Sequence, residues 1–176
     1  MRRVYITRWI ALGLLGITVM SPRPLMAQGE SAQERLILDV ERRQDIRVAY
    51  DVKDNVWAAG IGKGLYYVRG LLESYKSMGV PADQLHISVV LHGPAAFWLL
   101  NEEAYQTHTL DPFAINPNDK VVEELLDHGV SVEICHVTMK GKGWTAEDIL
   151  PRVTIVHDAY TRLIDLQQRG WAYIRF

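Results

Sequence analysis

Of the 176 residues of this chain only one, Cys135, is a cysteine. A single thiol closes no intramolecular disulfide, which excludes both a disulfide-stapled scaffold and a thioredoxin-like dithiol cycle. No G-x-S-x-G occurs, so the nucleophile elbow of the α/β hydrolases is excluded as well. An excess of positive charge is also lacking: 19 Lys and Arg stand against 21 Asp and Glu for a formal net charge of −2, and no basic stripe runs along the chain to attract nucleic acid or anionic lipid. The apolar stretch 9–20 lacks charge but is too short to span a bilayer comfortably. No internal repeat and no low-complexity tract divides the sequence.

What is present begins with "MRRVYITRWIALGLLGITVM", a basic start followed by that apolar stretch. Downstream, Ala27 supplies the small residue a signal peptidase needs before the cut, so residues 1–27 are expected to be an export signal and the protein periplasmic or secreted. Leu25 is larger than the preferred residue and Arg23 intrudes, which leaves an uncleaved anchor as the alternative; the Arg2-Arg3 pair fits twin-arginine export only weakly. Cleavage removes four arginines and no acids, taking the formal charge from −2 to −6. Residues 28–44 lack a clear period and are expected to form an arm or linker. Residues 45–176 are expected to form one domain, and the roughly 150 residues left after cleavage suffice for a single sizeable core.

From Ile46 the pattern is regular. "IRVAYDV" alternates as a strand does, and 55–78 carries apolar residues at helical spacing until Gly79-Val80-Pro81 stops it. "LHISVVL" suits a strand buried on both faces. A helix is expected over 94–105, then a loop, then a helix over 119–128 capped by Asn118 and ended by Gly129. "VSVEI" reads as a strand, "TAEDIL" as a short helix capped by Thr145, "VTIV" as a strand, 158–169 as a helix ending at Gly170, and "WAYIRF" as the last strand. This alternation predicts right-handed crossovers and a three-layer α/β/α sandwich around a mainly parallel five-stranded sheet.

Ligands gather at the carboxyl ends of parallel strands. Those ends carry Asp51 with Asp54 and Asn55, then His92-Gly93-Pro94, then Cys135-His136, then His157-Asp158, so that three of the six histidines and the only thiol share one edge. In "VSVEIC" the thiol alternates onto the side of Ser131 and Glu133, which argues against a purely buried cysteine. Positive potential makes a thiol nucleophilic; His136, Lys140 and Lys142 supply charge, and the amides of a turn rich in Gly141 and Gly143 supply hydrogen bonds. A reactive lone thiol carries sulfur as a persulfide or forms a mixed disulfide.

Other motifs are weaker. Gly60, Gly62 and Gly64 in "AAGIGKGLYY" have the wrong spacing for a dinucleotide or phosphate loop and fall inside the helical period, so close packing of that helix explains them better. Glu102-Glu103 and Glu123-Glu124 read as solvated helix faces. Trp98, Trp144 and Trp171 read as core or interface anchors, with Trp144 near enough to Cys135 in sequence to roof a pocket. Tyr66 and Tyr67 suit a subunit contact.

The stretches "VVLHGPA", "GVSVEICHVTMKGKGW" and "AEDILPRVTIV" together resemble the DsrE/DsrF-like proteins, α/β sandwiches that include sulfur-relay subunits. The likeness runs from "IRVAYDV" to "WAYIRF". In sulfur-carrying relatives the acceptor cysteine follows this strand, with a basic residue and glycine several positions on, an arrangement that Cys135 and Lys142-Gly143 match. The resemblance implies a sulfur carrier or sulfurtransferase with its persulfide on Cys135, in a homo-oligomer (trimer or hexamer) that exchanges sulfur with a donor or acceptor protein. His136 or His92 is expected to assist, with Asn55, Gly93, Lys142, Gly143 and His157 as binding residues and no cofactor or metal required. The alternatives are a zinc or copper module built from Cys135 with some of His92, His136 and His157, and a catalytically silent oligomeric scaffold.

Overall fold

The computed structural model describes residues 36–176, so the expected signal, 1–27, and the first part of the expected arm lie outside the described residues. Every helix and strand described belongs to one compact unit, residues 39–176.

Five parallel strands form the central sheet: β1 (Ile46–Val52), β4 (Leu85–Leu91), β5 (Ser131–Cys135), β6 (Thr154–Val156) and β7 (Ala172–Arg175), in the order β6-β5-β4-β1-β7. The parallel five-stranded α/β sandwich expected from the alternation is therefore present. From β1 the chain steps outward one strand at a time to β6, and its last helix carries it back across the sheet to β7 on the far edge. The inner strands are mostly apolar because helices cover both of their faces, with Asp51, Ser88 and Glu133 as buried polar exceptions.

The two faces are covered unequally. On one, Val48, Tyr50, Val52, Val89, Leu91, Val132 and Ile134 form the larger core with Leu65 and Val68 of α1 (Lys63–Ser77), Val121 and Leu125 of α3 (Asp119–Asp127), and Met139 of α4 (His136–Lys142). On the other, a single helix, α5 (Ala159–Gln168), packs Ala159, Leu163 and Leu166 against Ala49, Val90 and Cys135. Asp158 caps α5 by accepting from the Thr161 amide at 3.0 Å.

Three local expectations are corrected. The helix expected from residue 55 starts at Lys63, because Ala59 and Gly60 both adopt positive φ and turn a small hairpin, β2 (Trp57–Ala58) against β3 (Ile61–Gly62). The helix expected over 94–105 is two pieces, a 3₁₀ segment at Gly93–Leu99 and α2 (Glu102–Thr109), which begins afresh where Asn101 accepts from the Ala104 amide at 3.0 Å. Past Cys135, where the glycines suggest a turn, the chain winds directly into α4 and stops at Gly143, whose φ of 74° suits glycine.

Glycine does serve close packing in this region. A Cβ on Gly62 would stand 2.4 Å from the Trp98 ring, and one on Gly64 would stand 2.6 Å from the Val52 side chain. Asn118 stands at the start of α3 as expected, but its carbonyl oxygen accepts from the Gly62 amide at 2.7 Å rather than from its own helix. The hairpin is thereby fastened to the body of the domain.

Candidate functional site

The carboxyl edge of the sheet gathers polar groups from several strands. Asp51 ends β1 and His92 follows β4, 4% and 5% exposed respectively. The Asp51 carboxylate is shared: Oδ1 lies 2.7 Å from His92 Nε2, Oδ2 accepts from the Tyr173 hydroxyl at 2.6 Å, and the Arg175 guanidinium approaches Oδ2 at 3.9 Å. Tyr160 of α5 sets the edge of its ring against the imidazole, centroid to centroid 5.2 Å. Burial first, then the hydrogen bond and charge of Asp51, push the Tyr173 phenol up to about 12. A cleft of about 190 Å³ lined by Asp51, Lys53, Tyr160, Leu163, Tyr173 and Arg175 opens beside this network.

Cys135 lies one step beyond the paired residues Leu91 and Ile134, which puts it level with His92 on the neighbouring strand and on the α5 side of the sheet. It alternates with Ser131 and Glu133 as expected, yet it is 3% exposed and packs with Ala49, Val90, Ala159, Leu163 and Leu166. The expectation of a thiol open to solvent is corrected: α5 covers this side of the strand whether its residues are polar or not. Among the described residues Cys135 makes no side-chain hydrogen bond.

The strand ends at Cys135 and His157 have a topological distinction. β5 leads into α4, which joins the larger core, whereas its neighbour β6 leads into α5 on the opposite face. The chain therefore departs to opposite sides from two adjacent strands, which makes this position a topological switch point of the sheet.

The other expected residues divide into groups. His136 and His157 are exposed. Asn55, Gly93 and Lys142 come together in a groove of about 410 Å³ completed by Pro94, Phe97, His108, Thr109 and Trp144. Gly143 ends α4 beside it. Trp144 thus joins a pocket as expected, but it belongs with Lys142, and its indole packs on the larger core, not on the thiol's side of the sheet. The two sets meet at one point, where the Gly93 amide, next to His92, donates to Thr138 Oγ1 of α4 at 3.1 Å. Among the described residues no three His, Cys, Asp or Glu side chains gather to hold a metal ion, so the zinc or copper module lacks a ligand set.

Sequence reasoning passed over Tyr173, Arg175 and Tyr160. The signal for the first two was their shared parity in the last strand, but it points to Asp51 only once β7 is known to pair with β1. Arg162 and Glu133 were missed too: a charge in a strand that α5 covers is itself a sign that a partner comes from that helix.

Among solved structures, the chain resembles the protein of unknown function MTH1491 from Methanobacterium thermoautotrophicum, with a TM-score of 0.50 and 23% identity over 75% of this chain and 100% of that one. It also resembles the ychN protein from E. coli, with a TM-score of 0.51 and 16% identity over 74% and 100%. At these identities the likeness shows the fold. No curated protein matches the chain. The DsrE/DsrF-like family model matches residues 63–176, which includes Cys135, all of α5 and every residue of the groove except Asn55, and on that match the chain belongs to the DsrE/DsrF-like family.

Proposed function

We propose that the protein handles sulfane sulfur, holding it as a persulfide on Cys135. The observation that carries this reading is the thiol's position: it ends β5 at the carboxyl edge of the sheet, level with the buried His92–Asp51 pair, in a chain of a family that includes sulfur-relay proteins. In the transfer, the Cys135 thiolate attacks the outer sulfur of a donor persulfide, R–S–SH. The new bond joins the two sulfurs, the old S–S bond breaks, and R–S⁻ leaves and takes up the proton that Cys135 released. His92, buried and level with Cys135 on the neighbouring strand, accepts that proton in this scheme, and Asp51 orients its ring. Because Ala159 packs on Cys135 and Tyr160 on His92, access requires the first turn of α5 to move aside.

The same proposal includes export with removal of residues 1–27, a periplasmic or secreted location, assembly as a homotrimer or homohexamer, and exchange with a donor or acceptor protein. Exposed apolar side chains on α5, Tyr160 and Ile164, with Tyr173 beside them, support a subunit contact. N-terminal sequencing of the protein recovered outside the cytoplasm checks the cleavage, and sedimentation checks the assembly.

Incubating native protein with a low-molecular-weight persulfide should add the mass of one sulfur atom, and Cys135→Ser and Cys135→Ala should both abolish the addition. The 3% exposure of Cys135 favours a second reading, a silent scaffold in which the cysteine is a packing residue. A thiol that gains no sulfur and reacts with alkylating agents only after unfolding overturns the first reading in favour of the second.

A further inference from the structure

The groove on the other side of the carboxyl edge has a composition of its own. Its floor is Phe97, 8% exposed, and its walls are the His108 imidazole, 4.9 Å from the Phe97 ring between centroids, and the Trp144 indole, 5.6 Å from His108. At its rim stand the Lys142 ammonium from the end of α4 and the side chain of Asn55. The Asn55 carbonyl oxygen is already engaged, accepting from Trp98 Nε1 at 3.2 Å, so the amide has its NH₂ left to donate. Burial first and Lys142 second lower the pKa of His108, which leaves the ring uncharged at neutral pH and Lys142 as the cation lining the groove among the described residues.

Three rings beside one cation and one free amide NH₂ form a complementary surface for a particular kind of molecule. The rings accept a flat apolar body edge-on or face-on, and the ammonium and amide accept an oxyanion at one end of it. A volume of about 410 Å³ falls within the range of small-molecule pockets, at the size that takes one or two fused rings.

We infer that the groove formed by Asn55, Phe97, His108, Lys142 and Trp144 binds a planar aromatic anion, a one- or two-ring molecule bearing a carboxylate, sulfonate or phosphate. The ring lies against Trp144 and Phe97, and the oxyanion meets Lys142 Nζ and Asn55 Nδ2. Cys135 is not part of this site, since it faces the α5 layer and the groove faces the larger core. The inference stands independently of the sulfur reading.

Titration with 2-naphthoate, followed by tryptophan fluorescence and by calorimetry, tests it. Saturable one-to-one binding is expected, at least about tenfold tighter than that of 2-naphthalenemethanol, which keeps the rings and lacks the charge, with no detectable binding of acetate, which keeps the charge and lacks the rings. Lys142→Met is expected to weaken naphthoate by about tenfold or more while leaving the alcohol unchanged, and Trp144→Leu to weaken both. Lys142 is exposed at a helix end, so its replacement leaves the fold intact, as an unchanged thermal transition should verify. Equal affinity for naphthoate and the alcohol, indifference to Lys142→Met, or no saturable binding of naphthoate overturns the inference.

Discussion

Arg162 of α5 grips Glu133 of β5 through two parallel hydrogen bonds, Nε to Oε2 and Nη2 to Oε1, each 2.8 Å long. Glu133 is 1% exposed, and the hydroxyls of Ser88 and Ser131 both donate to its Oε1 at 2.9 Å. The carboxylate is therefore fully partnered inside the thinner core, and the pair fixes where α5 lies over the sheet. Removing the guanidinium strands a buried charge, which costs far more than the pair contributes against an apolar substitute. Arg162→Ala should lower the unfolding free energy by about 3 kcal/mol, whereas Glu133→Leu combined with Arg162→Met should recover most of that loss. Urea unfolding of the three proteins checks it, and an equal loss in the single and double variants would show that the carboxylate is not buried as described.

The tyrosines give a prediction in pH. Burial and the neighbouring Tyr75 push Tyr50 up to about 12, and burial with the Asp51 hydrogen bond does the same for Tyr173. Both pKa values are raised above the unfolded value of 10, so their contribution is complete below pH 10 and is lost as pH rises from 10 to 12, where the unfolded chain sheds protons that the folded one retains. Stability should fall across that window, and Tyr173→Phe should soften the fall. Absorbance titration of the phenolates beside denaturant unfolding checks this; a single phenolate wave near pH 10 with the fold still intact speaks against it.

Neighbouring glycines should respond with opposite signs. A Cβ at Gly62 meets the Trp98 ring at 2.4 Å and one at Gly64 meets Val52 at 2.6 Å, both in the buried interior, while one at Gly70 in the same helix as Gly64 meets nothing within 4 Å. Gly62→Ala and Gly64→Ala should each destabilise by about 1–3 kcal/mol through overpacking, and Gly70→Ala should stabilise by about 0.5–1 kcal/mol through the lower entropy of its unfolded chain. Thermal melts of the three variants decide it.

These glycines also mark how far the sequence could be read. The alternation of strands and helices gave the sandwich correctly because its signals are local: period two in "IRVAYDV", a closed apolar run in "LHISVVL", Gly129 and Gly170 after their helices. The β2–β3 hairpin was hidden because Val56 and Ala59 fit the helical period of the following segment, and the positive φ of Ala59 and Gly60 that breaks it leaves no periodic trace. At the edge, Asp51, His92 and Cys135 were legible as strand ends. Which of them meet was not, since contact depends on strand order and on which face each helix covers. The same ignorance of the faces made Cys135 look open, and it separated Lys142 from the thiol seven residues before it.

Replacing the thiol itself tests how dry its surroundings are. Cys135 packs among Ala49, Val90, Ala159, Leu163 and Leu166, and the described residues offer its sulfur no hydrogen bond. Serine at this position buries a hydroxyl that lacks a partner, at a cost of about 1–3 kcal/mol, whereas alanine loses only the packing of one atom, about 1 kcal/mol. Cys135→Ser should therefore be the less stable of the two by about 1 kcal/mol, read as a lower urea midpoint at unchanged slope. If serine instead matches the wild type, the hydroxyl has found water or a polar neighbour such as His92, and the thiol's surroundings are wet enough for a sulfur donor to enter without opening α5. The ordering of the two variants thus bears directly on how sulfur reaches Cys135, and does so without any assay of sulfur transfer.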